Sequence, residues 1–192
     1  PQAAADLRNR LTVMMIQPDP DTGKLDNGNL TNVDLVIEAV YEDLSIKREI
    51  LQAIEPALNR NAIIATNTSY LDVNKLAACL DNPSRFVGLH FFAPAHIMKL
   101  LEIVKGSETS PAALAMGYAV AKSLGKMPVV AGVCDGFIGN RILAALREAA
   151  DAILMDASTP SKIDNAIVDF GYAMGPYETQ DLSGLDIAYA NR

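Results

Sequence analysis

The chain has 192 residues, half of them hydrophobic, and a formal net charge of −7 at pH 7. That length fits one medium domain, or one domain and part of a second, and an acidic balance with no basic patch argues against a nucleic-acid or polyanion partner. The apolar runs are too short for a membrane span, "PQAAADLRNR" lacks a signal-peptide core, and Cys79 and Cys134 form no CxxC or Cys/His cluster; a disulfide framework or a metal site is not expected, and a reducing compartment is.

In chain order, "AAADLRNRLTVMMI" (3–16) reads as a helix and "QPDPDTGKLDNGNLTN" (17–32) as a turn-rich loop. A mononucleotide-binding half needs a strand, a Gly-rich turn and a helix at this point, and no GxGxxG occurs in the sequence. Either the chain is a fragment of a larger protein, or the sheet begins in an unusual way. "VDLVIEAV" (33–40) is a near-continuous apolar run, the signature of a parallel strand covered on both faces. "LSIKREILQAIEPAL" (44–58) predicts an amphipathic helix with Ile46, Ile50, Ile54 and Leu58 on its apolar stripe and Leu44 and Leu51 flanking it.

"NAIIATN" (61–67) predicts the next strand, and Asp72 is placed to cap a short helix over "VNKLAACL", stopped by Pro83. "RFVGLHFF" (85–92) and "MKLLEIV" (98–104) predict two strands joined by a five-residue loop with Pro94. Pro111 opens a helix over 111–124 that Gly125 ends, and "MPVVAGV" (127–133) is strand-like. This alternation predicts an open α/β sheet. From residue 135 the pattern becomes helical: one long helix over 136–157, then another with Thr159 as N-cap, Pro160 at its first position and Gly171 as its stop.

Within the two strands of 85–104, Glu102 stands among Met98, Leu100 and Val104, a costly place for a carboxylate without a partner. Paired antiparallel, the strands put His90 opposite Leu100 or Glu102. A carboxylate accepting from one ring nitrogen fixes the imidazole tautomer and stabilises imidazolium, which makes a general acid/base. The competing expectation is a buried structural histidine, with Glu102 paired to Lys99 or Lys105. His96 falls in the loop.

"NTS" (67–69), "RFVGLHFFAPAHIMKLLEIV" (85–104), "DGFIGNR" (135–141) and "GYAMGPYETQDLSGLDIA" (171–188), in this order and spacing, resemble the L-3-hydroxyacyl-CoA dehydrogenase family. The dehydrogenase portion of bifunctional enoyl-CoA hydratase/3-hydroxyacyl-CoA dehydrogenases is the nearest form. The resemblance implies a Rossmann-like doubly wound NAD-binding domain over residues 1–134, incomplete at its N-terminus. It also implies a truncated all-α C-terminal domain over 135–192 that dimerises. It implies NAD as cofactor, an acyl-CoA substrate, His90 as catalytic base and Glu102 as its partner. Ser69 and Asn140 become substrate-binding residues, and Glu42, Lys47 and Asn67 line the cofactor.

Physical placement allows these roles and plainer ones too. Asn67 and Ser69 lie just past a strand's C-terminal end, where open α/β sheets bind ligands, yet "TNTS" also suits a turn and helix cap. Asn140 lies near a helix N-terminus, which favours an oxygen anion, but a solvent-facing residue is equally compatible. Glu42 and Lys47 could be solvated charges. Two departures from the family stand out: Ala93 replaces a commonly polar residue, and the missing Gly-rich loop predicts weak NAD binding. The rival expectations are a β-hydroxyacid-type dehydrogenase acting on a non-CoA substrate, and a catalytically silent assembly module. A bacterial cytoplasm is the expected location, with a peroxisome or mitochondrion as alternatives.

Overall fold

The computed structural model describes residues 30–183. The helix expected over 3–16, most of the loop over 17–32 and the stretch from Gly184 onward lie outside the described residues. The chain divides into two compact units between Val133 and Cys134.

The first unit is built on a sheet of β1 (Leu35–Glu38), β2 (Ile63–Thr66), β3 (Phe86–Phe91), β4 (Leu100–Lys105) and β5 (Met127–Gly132), lying side by side in that order. Strands β1, β2 and β3 run parallel, β3 and β4 pair antiparallel, and β5 is parallel to β4. Helices α1 (Leu44–Ile54), α2 (Val73–Ala77) and α3 (Pro111–Ser123) complete the Rossmann-like α/β arrangement. Each helix begins where a short polar side chain can satisfy open backbone N–H groups: Asp43, Asp72 and Ser110 accept from the first turns of α1, α2 and α3.

Strand alternation divides the core. Ile63 and Ala65, Val87 and Leu89, and Leu101 and Ile103 pack with Ala113 and Ala121 of α3. The intervening residues Ile64, Thr66, Phe86, Gly88, His90, Glu102 and Val104 are buried on the opposite face. There Val73 of α2 approaches Gly88, where an added Cβ would meet Val73 Cγ2 at 3.3 Å. Glu102 therefore shares its face with the core, not with solvent.

Three sequence expectations need correction. Helix α1 does not bury the stripe through Ile46: that residue is 41% exposed, while Lys47 and Leu51 are 0% and 1% exposed. The helix is rotated so that Lys47 points inward, and an ion pair with Glu38 makes that possible. It ends at Ile54, with a 3-10 turn over Glu55–Ala57, because Pro56 has no N–H to continue the α-helical ladder. The loop between β3 and β4 runs over residues 92–99, longer than the five expected, since Pro94 O accepts from both Ile97 N–H and Met98 N–H in a turn of its own.

The second unit contains α4 (Gly139–Met155), α5 (Pro160–Phe170) and α6 (Pro176–Ser183). The third correction lies here: α4 begins at Gly139 and not at Gly136, because Gly136 and Phe137 have φ of 65° and 49°, in the left-handed region that a right-handed helix excludes. Thr159 caps α5 by accepting from Lys162 N–H, Pro160 opens it and Gly171, at φ 119°, ends it. Buried Asp164 of α5 accepts from Tyr177 N–H at 3.0 Å and Glu178 N–H at 3.1 Å, capping the first turn of α6 from outside. No described helix is long and apolar enough to cross a membrane.

Candidate active site

The register of β3 and β4 pairs His90 with Glu102 directly. His90 Nδ1 lies 2.7 Å from Glu102 Oε2, and the two residues are 3% and 0% exposed. The buried carboxylate thus has the imidazole as partner, and the imidazole's orientation is set by that bond. Phe92 adds a second constraint, its ring tilted by 48° against the His90 ring at a centroid distance of 4.5 Å. With Nδ1 engaged by Glu102, the other ring nitrogen is the one through which the imidazole could exchange a proton. His96 is exposed in the loop.

The C-terminal ends of β1 and β2 bring together four of the remaining sequence candidates. The β2–β3 ladder stops at Thr66 and Gly88, and Asn67 continues the connection with its side chain, its Oδ1 accepting from Phe91 N–H at 3.0 Å. Asn67 N–H donates to Glu38 O at 2.8 Å, so this one residue ties β1, β2 and the segment beside His90. Ser69 follows on the next turn, partly exposed.

Glu42, on the loop after β1, reaches across to that turn. Its Oε1 accepts from Thr68 Oγ1 at 2.5 Å, Ser69 N–H at 2.8 Å and Tyr70 N–H at 3.1 Å. Its Oε2 lies 3.4 Å from Lys47 Nζ. Burial alone would push the Glu42 carboxyl up; the Thr68, Ser69 and Tyr70 hydrogen bonds and the Lys47 ammonium outweigh it and hold the group below its ordinary range.

Lys47 is not a solvated charge. Its Nζ lies 2.8 Å from Glu38 Oε1 and donates to Val40 O at 3.1 Å. Glu38 also accepts from Val40 N–H and, on Oε2, from Thr66 Oγ1, both at 2.7 Å. Sequence reasoning passed over Glu38 and Thr66. The signal was present in "VIEAV", where Glu38 interrupts an apolar strand much as Glu102 does, and the same argument from uncompensated charge calls for a partner.

Asn140 is the second residue of α4, in the first turn behind the left-handed Gly136–Phe137 corner. It belongs to the second unit, whereas Glu42, Lys47, Asn67 and Ser69 belong to the first.

Residues 17–134 match the family model described as 3-hydroxyacyl-CoA dehydrogenase, NAD binding domain, and residues 136–192 match 3-hydroxyacyl-CoA dehydrogenase, C-terminal domain. Among curated proteins, the peroxisomal bifunctional enzyme of Danio rerio is 44% identical over 164 residues, 85% of this chain and 23% of that protein. The fatty acid oxidation complex subunit alpha of Acinetobacter baumannii is 41% identical over 154 residues, 80% of this chain and 22% of that protein. The chain thus spans about a quarter of the length of the curated relatives it matches.

Among solved structures, (S)-3-hydroxybutyryl-CoA dehydrogenase PaaH1 from Ralstonia eutropha superposes with a TM-score of 0.79 at 34% identity, covering 86% of this chain and 59% of that one. A diketoreductase acting on dicarbonyl compounds gives 0.78 at 29% identity, covering 85% of this chain and 59% of that one. With both family models matched in succession over most of its length, the chain belongs to the 3-hydroxyacyl-CoA dehydrogenase family.

Proposed function

We propose that the protein carrying this chain oxidises (S)-3-hydroxyacyl-CoA to 3-oxoacyl-CoA with NAD⁺, reversibly, in fatty acid β-oxidation or a related acyl-CoA pathway. The observation that carries the reading is the buried His90–Glu102 pair at 2.7 Å. His90 takes the substrate hydroxyl proton, and Glu102 stabilises the imidazolium that results. Ser69 orients the hydroxyl and polarises its oxygen, and the family resemblance adds Asn140 as a substrate-binding residue.

The residues at the strand ends fit the nicotinamide end of the cofactor. Asn67 sits at the carboxyl end of parallel strand β2, where open α/β sheets take their ligands. Lys47, fully buried, supports that edge from behind. Bound NAD supplies the hydride acceptor, and the residues of this chain supply orientation and proton transfer. Apolar side chains left exposed on the helical unit, among them Ile142, Met155, Phe170 and Leu182, support the proposal of a homodimer formed through it. The proposed compartment is a bacterial cytoplasm, with a peroxisome or a mitochondrion as the alternatives.

The test is His90→Gln in the intact protein, assayed with acetoacetyl-CoA and NADH. Turnover falls by about 10²–10⁴-fold, the usual worth of a positioned general acid/base, with fold and NADH affinity kept. A variant retaining most of its activity would show that another group is the base. A second reading, a dehydrogenase of a non-CoA substrate, is supported by the likeness to a diketoreductase. Comparing kcat/KM for the acyl-CoA and for free dicarbonyl and hydroxy-acid substrates decides between the two.

A further inference from the structure

The resemblance gives Glu42 the place of a cofactor-lining residue, but its hydrogen bonds point elsewhere. Oxygen Oε1 gathers the Thr68 hydroxyl and two successive backbone N–H groups, Ser69 and Tyr70. A carboxylate that accepts two consecutive amides fixes the direction of the peptide between them, and with it the Cα–Cβ bond of Ser69. The other oxygen faces Lys47, which in turn faces Glu38 and, through it, Thr66 of β2. The chain of contacts Thr66–Glu38–Lys47–Glu42–Thr68 therefore begins on β2, crosses to β1 and α1, and returns to the turn that follows β2. Its far end holds Ser69.

We propose that Glu42 is a positioning residue for the Ser69 turn, braced by the buried Glu38–Lys47 pair, and that it acts on the hydroxyacyl substrate through Ser69 more than on the cofactor. The proposal rests on the reading of the protein as a 3-hydroxyacyl-CoA dehydrogenase. Loss of the brace frees the turn, and a displacement of about 1 Å in a substrate-orienting group can cost on the order of 10²-fold in rate.

The experiment compares Glu42→Ala, Glu42→Gln and Thr68→Val in the intact protein. It reads NMR-detected exchange of the Ser69 and Tyr70 amides, kcat and KM for acetoacetyl-CoA, and NADH affinity by fluorescence. Glu42→Ala is expected to lose amide protection and lower kcat by about 10²-fold, while NADH affinity stays within about threefold. Glu42→Gln, which keeps an acceptor oxygen, recovers most of the protection and turnover. Thr68→Val, a milder cut in the same bonding set, falls between, and it carries the test if Glu42→Ala does not fold.

Unchanged protection in Glu42→Ala overturns the proposal. So does a loss of NADH affinity above about tenfold with kcat at saturating NADH intact, since that marks a cofactor contact. If the unsubstituted protein fails to turn over 3-hydroxyacyl-CoA, the functional reading falls, and amide exchange still decides whether Glu42 holds the turn.

Discussion

Glu102 and His90 stand directly opposite each other on antiparallel strands and share a 2.7 Å hydrogen bond where solvent scarcely reaches. A carboxylate in that place holds the ring and offsets positive charge on it, two contributions that one substitution can separate from packing. Glu102→Gln keeps the volume and one acceptor oxygen but removes the negative charge. It is expected to lower kcat by roughly 10²–10⁴-fold with little change in KM or circular dichroism. Turnover within a few-fold of the unsubstituted protein would make Glu102 a packing residue with no part in proton transfer.

The second buried pair has a different expected signature. Lys47→Met leaves the buried Glu38 carboxylate at the end of β1 without its counter-charge, a change that typically destabilises by about 3–5 kcal/mol. Glu38 keeps the Thr66 hydroxyl and Val40 N–H, which places the effect toward the lower end of that range. Adding Glu38→Gln removes the uncompensated charge, so the double variant should be more stable than Lys47→Met alone. Urea midpoints of the two single variants and the double variant measure the coupling; strictly additive losses would mean that the pair does not interact energetically.

What could be read in the sequence and what could not divides along chain distance. The Thr159 cap, Pro160 start and Gly171 stop of α5 are local chemistry, and each is legible from a few residues. His90 and Glu102 are 12 positions apart, but strand alternation and a single reversal of direction bring them together, so their pairing is one of the two registers the sequence allows. Lys47 was not legible in the same way. The helical periodicity of α1 favours burying Ile46, and only the presence of Glu38 on β1 explains why a lysine is turned inward instead.

Glu42 is a stronger case, because its contacts with Ser69 and Tyr70 span 27 and 28 positions and depend on two loops meeting above a parallel sheet. No periodicity reports that meeting. The start of α4 is illegible for a local reason: Phe137, at φ 49°, has a conformation its residue type rarely adopts.

The Glu42 contacts also set a pH dependence. Glu42 is held below its ordinary value of 4.5, so the folded state binds its proton more weakly than the unfolded chain does. Its stabilising contribution is present above the ordinary value and is lost as pH falls through the depressed folded value. The group is partly exposed, so solvent screening keeps the contribution small. The stability difference between the unsubstituted protein and Glu42→Gln is expected to be constant near neutrality and to shrink below about pH 4.5, starting from that ordinary value. Thermal melts across that interval measure it, and a difference that grows on acidification would contradict the assignment of these bonds to an ionised carboxylate.

Gly88 tests whether the spacing of β3 and β4 governs the His90–Glu102 bond. It faces Val104 directly in the register, two residues before His90 on β3 and two after Glu102 on β4. An added Cβ would lie 2.6 Å from Val104 Cβ and 3.1 Å from Val104 Cγ2. The closer atom is fixed to the backbone and cannot rotate away, so Gly88→Ala must push the strands apart. Overpacking of this kind costs about 1–3 kcal/mol, and the displacement falls beside the His90–Glu102 pair. Gly88→Ala is therefore expected to lower the melting temperature and, with the proposed role of His90 as base, kcat. Val104→Ala should not rescue it, because the obstructing Cβ remains, whereas Val104→Gly in the same background should restore turnover further than Val104→Ala does. Equal behaviour of the two second-site variants would show that the strain is relieved by side-chain rotation and that strand separation is not what positions the pair.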